Sequence, residues 1–234
     1  MPSQTLSLSG NSSELECYFF PPIEVGEKSE IGLLSLQTYN CMPNVEEGRN
    51  TLGVVKDSGE TMLIVIPTGC YEIITLETKI QELLGSNVRF FNLITDNSML
   101  KCVLNCSNDV KLDVENSIAS LLGFKNRRTL EAELNHESDN VLKIMEVNCI
   151  KVECNLVSGS FDNGEQSHSI HEFYPAVPPG FKIVEIPKYC ILYKLKTNTI
   201  DYVRISLKDQ NDKLINFREE TVNVRLLIKN GSEV

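Results

Sequence analysis

The densest run of donor side chains in the chain is Ser167-His168-Ser169-Ile170-His171-Glu172. Two imidazoles and a carboxylate that close together are the raw material of a metal site or a proton relay. Spacing decides what they can do. Gly164 and Pro175 bracket the run and favour an extended path. On a strand, positions three apart point to opposite faces, so His168 and His171 cannot close on one ion there. A metal-binding jelly roll of the cupin type would want two His two apart on one strand, with Glu and a further His on others. The third imidazole, His136, is remote in sequence. No metal is expected, and the two histidines read better as surface or interface groups.

Other chemistries fail on spacing as well. The 8 cysteines stand at 17, 41, 70, 102, 106, 149, 154 and 190, with no C-x-x-C among them. Cys102-x3-Cys106 and Cys149-x4-Cys154 lack matching partners for zinc, so they read as reduced, apolar residues. No G-x-S-x-G, G-x-x-x-x-G-K-[ST] or G-x-G-x-x-G occurs,. Ser160 lies in Gly159-Ser160-Phe161-Asp162-Asn163-Gly164, where Ser, Asp and Asn serve the turn's own backbone,. No catalytic residue and no cofactor is expected, and the chain reads as a non-enzyme.

Aromatic residues beside prolines are more suggestive. Tyr18-Phe19-Phe20-Pro21-Pro22 and Phe173-Tyr174-Pro175-Ala176-Val177-Pro178-Pro179-Gly180-Phe181 are stiff apolar stretches. Rigid aromatics bury area at little entropic cost and often anchor protein–protein contacts. Phe19, Phe20, His168, His171, Phe173, Tyr174 and Phe181 are therefore the candidate interface. An alternative is a monomeric recognition module for a glycan or protein, centred on Phe161, Asp162 and Asn163.

Charge narrows the partners. A formal net charge of −10 argues against a duplex-binding surface,. The one dense basic cluster, Lys125-Asn126-Arg127-Arg128, reads as a solvated loop. No apolar run approaches the roughly 20 residues of a membrane span. The leading segment MPSQTLSLSGNSSELE is polar, without a basic start or apolar stretch, so no secretory signal is expected and the cysteines should stay reduced in cytosol or nucleus,.

The elements that must carry these residues alternate with period two. Residues 1–16 read as a disordered, Ser-rich arm. Strands are expected at Ile31–Asn40, Met62–Pro67 (fully buried), Val88–Leu93, Met99–Leu104, Val110–Val114, Val147–Val157, Ser169–Tyr174, Ile183–Pro187 and Cys190–Leu195,. Helical spacing appears over Tyr71–Leu84, stopped by Gly85, and over Asn116–Phe124,. The segment Thr199–Lys229 alternates twice and reads as a closing hairpin or meander. Its Val203, Ile205, Val222, Val224 and Leu226 are predicted core, and its turns Lys208–Lys213 and Arg218–Glu220 are predicted at opposite ends of a sandwich. Eight to ten strands without a βαβ rhythm indicate a mainly β chain, a sandwich or jelly roll.

Five segments in order strengthen that reading: residues 21–45 (PPIEVGEKSEIGLLSLQTYNCMPNV), 66–84 (IPTGCYEIITLETKIQELL), 117–124 (SIASLLGF), 147–187 (VNCIKVECNLVSGSFDNGEQSHSIHEFYPAVPPGFKIVEIP) and 203–229 (VRISLKDQNDKLINFREETVNVRLLIK). Together they resemble the penton-like minor capsid proteins of Polinton/Maverick transposons and the related adintovirus-like viruses. The resemblance spans Pro21 to Lys229. It implies a single jelly-roll β-sandwich of about 8 core strands over residues 17–229, with one or two short helices in its first half. Residues 70–145 are expected as a helix-bearing insertion or small α+β subdomain, and 230–234 as a tail. It implies a homopentamer at capsid vertices beside a double-jelly-roll major capsid protein, and residence in a virion made in host cytoplasm or nucleus. It carries no catalytic residues. One departure stands out: Arg218-Glu219-Glu220 replaces an Arg-Gly-Glu-like turn, which removes easy access to φ > 0,.

Overall fold

The computed structural model describes residues 3–96, 98–125, 128–144 and 146–230. In chain order its strands are β1 (Gln4–Gly10), β2 (Glu14–Glu24), β3 (Glu30–Tyr39), β4 (Thr51–Val55), β5 (Thr61–Val65), β6 (Phe91–Asp96), β7 (Lys101–Cys106), β8 (Val110–Lys111) and β9 (Thr129–Leu130). They continue with β10 (His136–Glu137), β11 (Ile150–Cys154), β12 (Ser160–Asp162), β13 (Glu165–Ser167), β14 (Ser169–Phe173), β15 (Lys182–Glu185), β16 (Tyr193–Lys194), β17 (Thr199–Lys208) and β18 (Val222–Lys229). One α-helix, α1, spans Ile73–Leu84. The chain divides into two compact units, one from residues 1–42 and 147–234, the other from 43–146.

The first unit is a jelly roll. One sheet has the order β1-β18-β3-β15, with β16 also on β3; the other has the order β14-β11-β17-β2. Every pairing within them is antiparallel. Along the chain, successive main strands switch sheets at each step except β11 to β14. That alternation makes a five-stranded and a four-stranded sheet close over one core,. The inward residues follow the period of two: Leu6 and Leu8 on β1, Ile150, Val152 and Cys154 on β11, Val203, Ile205 and Leu207 on β17, and Val222, Val224, Leu226 and Ile228 on β18 are all buried,.

The second unit holds the sheets β10-β7-β6 and β5-β4-β8-β9. Helix α1 buries Leu76, Ile80 and Leu84, which fall on one face at four-residue spacing,. A 3-10 turn, Ile118–Ser120, begins where the Ser117 hydroxyl accepts the Ala119 amide at 3.2 Å,. It leads into Gly123 at φ +80°, whose added Cβ would sit 2.3 Å from the Asn140 carbonyl oxygen,.

Several expectations are corrected here. The expected arm is structured over residues 3–16, residues 1–2 lying outside the described ones: β1 pairs β18 from Gln4↔Ile228 to Gly10↔Val222. Its Thr-Leu-Ser-Leu-Ser alternation supplies two core leucines, and that period outweighs its Ser-rich composition. The expected closing hairpin is not one, because β17 and β18 lie in different sheets. Both polar turns belong to the single connection between them, so they cannot mark opposite ends of the sandwich. Asp209 in the first is buried, its Oδ1 accepting the amides of Asn211 and Lys213. Strand β5 is half-exposed: among the described residues it pairs only β4, and Leu63 and Val65 face solvent. An unbroken apolar run does not reveal by itself how many faces are covered. The second unit also starts at residue 43, not 70.

Candidate interaction surface

The residues singled out for an interface divide by the strand that holds them. On β14, Ile170 and Phe173 are buried, and the register against β11 shifts between Val152 and Glu153. His171 opposes Val152, an inward position, and its Nε2 lies 2.8 Å from Glu185 Oε1 of β15 in the other sheet. The Phe173 ring stacks beside it at 6.0 Å. This pair ties the two sheets together at one margin of the core. His168 is exposed, with Nδ1 2.6 Å from the Val157 carbonyl oxygen. The two histidines are not brought together, and no group of His, Cys, Asp and Glu among the described residues could hold a metal ion.

Phe19 packs against the jelly-roll core, whereas Phe20 is fully exposed. The register explains it. Ile200 pairs Ile23 and Tyr202 pairs Tyr18, so Phe19 to Pro22 bulge against Asp201 alone. Pro21 and Pro22 are tolerated because β2 is an edge strand,. Tyr174 and Phe181 flank the proline-rich connection from β14 to β15 and are exposed. Asn40 fixes that connection: its side-chain amide donates to the Val177 carbonyl at 2.6 Å, and its backbone exchanges bonds with Gly180 and Phe181. Of the expected set, Phe20, His168, Tyr174 and Phe181 are therefore surface residues. Phe19, His171 and Phe173 are wholly or partly taken up by the core. Their inward register, invisible without the partner strands, is the reason.

A stronger apolar surface lies one strand further on. Strands β15 and β16 occupy the same margin of β3, pairing Thr38 and Ile31 respectively, with residues 186–192 detouring between them. The detour crosses β3 at Gly32, where an added Cβ would lie 2.4 Å from the Ile191 carbonyl oxygen and 2.7 Å from Cys190 Sγ. Val184, Ile186, Tyr189 and Ile191 are all more than half exposed along this margin. The two strands expected over Ile183–Pro187 and Cys190–Leu195 do not by themselves mark these residues as a surface. The signal was present: in Ile183-Val184-Glu185-Ile186, apolar residues occupy both faces of a strand whose outer face should be polar.

The outer face of the other sheet is charged. Lys151 of β11 is buried at the head of a small network, its Nζ 2.6 Å from Asp162 Oδ2 and 3.1 Å from Asp212 Oδ1. The hydrogen bond to Asp162 holds this ammonium above the usual lysine range, against burial, with Asp212 adding to the effect. Lys208 pairs Glu153 at 2.7 Å on the same face. Tyr18 and Tyr202 pack ring to ring at 4.7 Å, and the hydrogen bond to Glu16 pushes the Tyr202 phenol up to about 12. Phe161 is exposed on the β12–β13 hairpin, but Asp162 beside it is committed to Lys151.

Among the cysteines, Cys102, Cys106 and Cys154 are buried, and burial pushes the Cys102 and Cys154 thiols up to about 12 and about 11,. Such thiols behave as small apolar groups at neutral pH. In the basic cluster, Arg128 pairs Asp139 at 3.4 Å, while Asn126 and Arg127 lie outside the described residues. No helix among the described residues is long and apolar enough to cross a membrane.

No protein-family model matches the chain, and no curated protein matches it in sequence. Among solved structures it is similar to the crystal structure of selenomethionine-labelled mavirus penton protein, at 9% identity and a TM-score of 0.48, over 97% of this chain and 98% of that one. The jelly-roll assignment rests on the strand order given above and not on this likeness.

Proposed function

We propose that the chain is a structural capsid subunit of the penton-like type, forming homopentamers at the vertices of a Polinton- or adintovirus-type particle. The observation that carries the reading is a jelly roll whose open margin, β15 to β16, exposes Val184, Ile186, Tyr189 and Ile191. The resemblance of the ordered segments between Pro21 and Lys229 supports the same class. An unpaired strand margin bearing aliphatic side chains is an association site unless something covers it. A ring needs a head-to-tail contact, in which this margin meets a different surface of the next copy. Phe20, Tyr174 and Phe181 are proposed to extend the contact.

The expected partners are further copies of the chain and a double-jelly-roll major capsid protein, with the virion as the final location. Co-expression with such a capsid protein tests the reading. The chain should co-purify in particles, and Ile186→Asp with Ile191→Asp should be left out of them. A chain that never enters particles, or a double variant that enters as efficiently as the wild type, contradicts it.

A further inference from the structure

In the 43–146 unit, a side-chain ladder between α1 and the strand beside it stops short. Among the described residues, strand β6 pairs only β7. The backbone groups of Phe91 and Leu93 point to its other, outer margin, as the bonds reaching them show, and the alternation of an antiparallel ladder places those of Thr95 on the same margin,. Gln81 Nε2 donates to the Phe91 carbonyl at 2.7 Å, and Glu77 Oε2 accepts the Leu93 amide at 3.2 Å. Four residues of helix advance about 6 Å and two of strand about 6.6 Å, so each step back along α1 meets the next outward group of β6. The next helical position in the series is Ile73, which has nothing to donate or accept. The Leu93 carbonyl and both backbone groups of Thr95 consequently have no partner among the described residues.

A cleft of about 660 Å³ opens at that place. Ile73, Ile74, Leu93, Ile94, Leu100 and Val141 give it an apolar lining. Ile74, Ile94, Leu100 and Val141 are each at least half exposed, which isolated surface residues explain poorly when four share one cleft,. Its charged lining residues are both acidic, Glu72 and Asp96. Its volume falls within the few hundred to about 1,000 Å³ of ligand clefts.

We propose that this cleft receives an extended peptide of a partner protein, added to β6 as a further strand. Alternate apolar side chains of the peptide fill the cleft, and a lysine or arginine at its end meets Glu72 or Asp96. The unpaired Leu93 and Thr95 groups supply main-chain bonds, the apolar wall supplies affinity, and the acidic rim selects charge. A second copy of this chain is the competing occupant, which the test below separates. The inference is independent of the capsid reading and uses a different unit of the molecule.

The test uses the full chain and a fluorescein-labelled peptide, Lys-Val-Thr-Val-Thr-Val-Lys, with a Glu-ended counterpart, followed by anisotropy. The Lys-ended peptide should bind saturably and the Glu-ended one at least about tenfold more weakly. Ile94→Glu places a charge in the lining. Thr95→Pro removes only an outward amide, which an edge strand tolerates. Each should weaken binding at least about tenfold while the melting temperature holds. In the wild type, the peptide should slow hydrogen exchange at the Thr95 amide, and this readout decides the matter if either variant is destabilised. The proposal is overturned by absent saturation, by equal affinity for the two peptides, or by an unchanged Thr95 exchange rate. A wild-type dimer that Ile94→Glu dissolves also overturns it, since a second copy would then be the occupant.

Discussion

In the jelly-roll unit, β1 finds its partner at the far end of the chain, Gln4 against Ile228, and β2 pairs β17 from Glu24↔Thr199 to Glu14↔Ser206. In the 43–146 unit, β4 pairs β5 and β6 pairs β7 across single short turns. The first unit therefore closes its sheets only when both chain ends are in place, whereas the second builds on two local hairpins joined by the longer-range β4–β8 and β7–β10 pairings. Non-local pairing carries a larger loop-closure cost and slower folding than local pairing. The two units should then respond separately to damage, and their exposed apolar residues should have separate causes. In the jelly roll Val184, Ile186, Tyr189 and Ile191 follow an unpaired margin; in the other unit Ile74, Ile94, Leu100 and Val141 line a cleft.

The largest expected effect is in the cores. Leu226→Ala should cost about 3 kcal/mol by transfer and cavity terms. Hydrogen exchange should then show faster opening at 4–10 and 199–229, with 73–106 unchanged. Ile80→Ala should cost a similar amount, about 3 kcal/mol, and give the reverse pattern. A uniform rise in exchange from either variant would mean that the units open as one, and the contrast drawn here would collapse.

The next effect concerns the detour over β3. Gly32→Ala forces a methyl into the Ile191 carbonyl and Cys190 sulfur, at an expected cost of about 2 kcal/mol,. Chemical denaturation measures it; a change near zero would show that residues 186–192 are not held against the sheet.

A smaller effect belongs to the charged outer face. Lys151→Met keeps the aliphatic stem and removes the ammonium, at an expected cost of about 1 kcal/mol because both aspartates remain partly solvated,. The folded pKa of Lys151 is raised, so its contribution is intact below the unfolded-chain value of about 10.4 and is lost as pH rises through the higher folded value,. The stability gap between wild type and Lys151→Met should be constant from neutral pH to about 10 and close above it. A gap that closes on crossing pH 8 would assign the effect to another group.

The smallest effect has the opposite sign. Arg218 and Glu219 sit at φ +52° and +62°, and the Glu220 amide donates to the Phe217 carbonyl at 3.0 Å. The missing glycine has not removed the left-handed turn; two L-residues occupy it instead. Glu219→Gly should stabilise the jelly roll by about 1 kcal/mol. A loss of stability would show that the Glu219 side chain makes a contact worth more than the strain.

These same features show how far the sequence could be read. Alternation located β3, β11, β17 and β18, and picked Val203, Ile205, Val222, Val224 and Leu226 as core, all fully buried. Helical spacing and the Gly85 stop located α1. Which sheet a strand joins was not legible, because period two fixes a face and not a partner. That is why β17 and β18 read as a hairpin and why β1 read as an arm. The candidate surface suffered from the same gap. Phe20 and Phe181 project outward and Phe19 and Phe173 inward only once the bulge at 19–22 and the register shift in β14 are known. The β6 cleft had no local signal, since it depends on how Gln81, Glu77 and Ile73 line up beside a strand chosen by tertiary packing.

Mass photometry of the purified chain, across salt and calcium concentration, bears most directly on the central claim. One chain weighs 26.3 kDa, so a closed five-membered ring should appear at about 132 kDa,. Ile186→Asp with Ile191→Asp should return it to the single-chain mass without unfolding it. A species that stays at 26.3 kDa under every condition and never joins a major capsid protein would contradict the account.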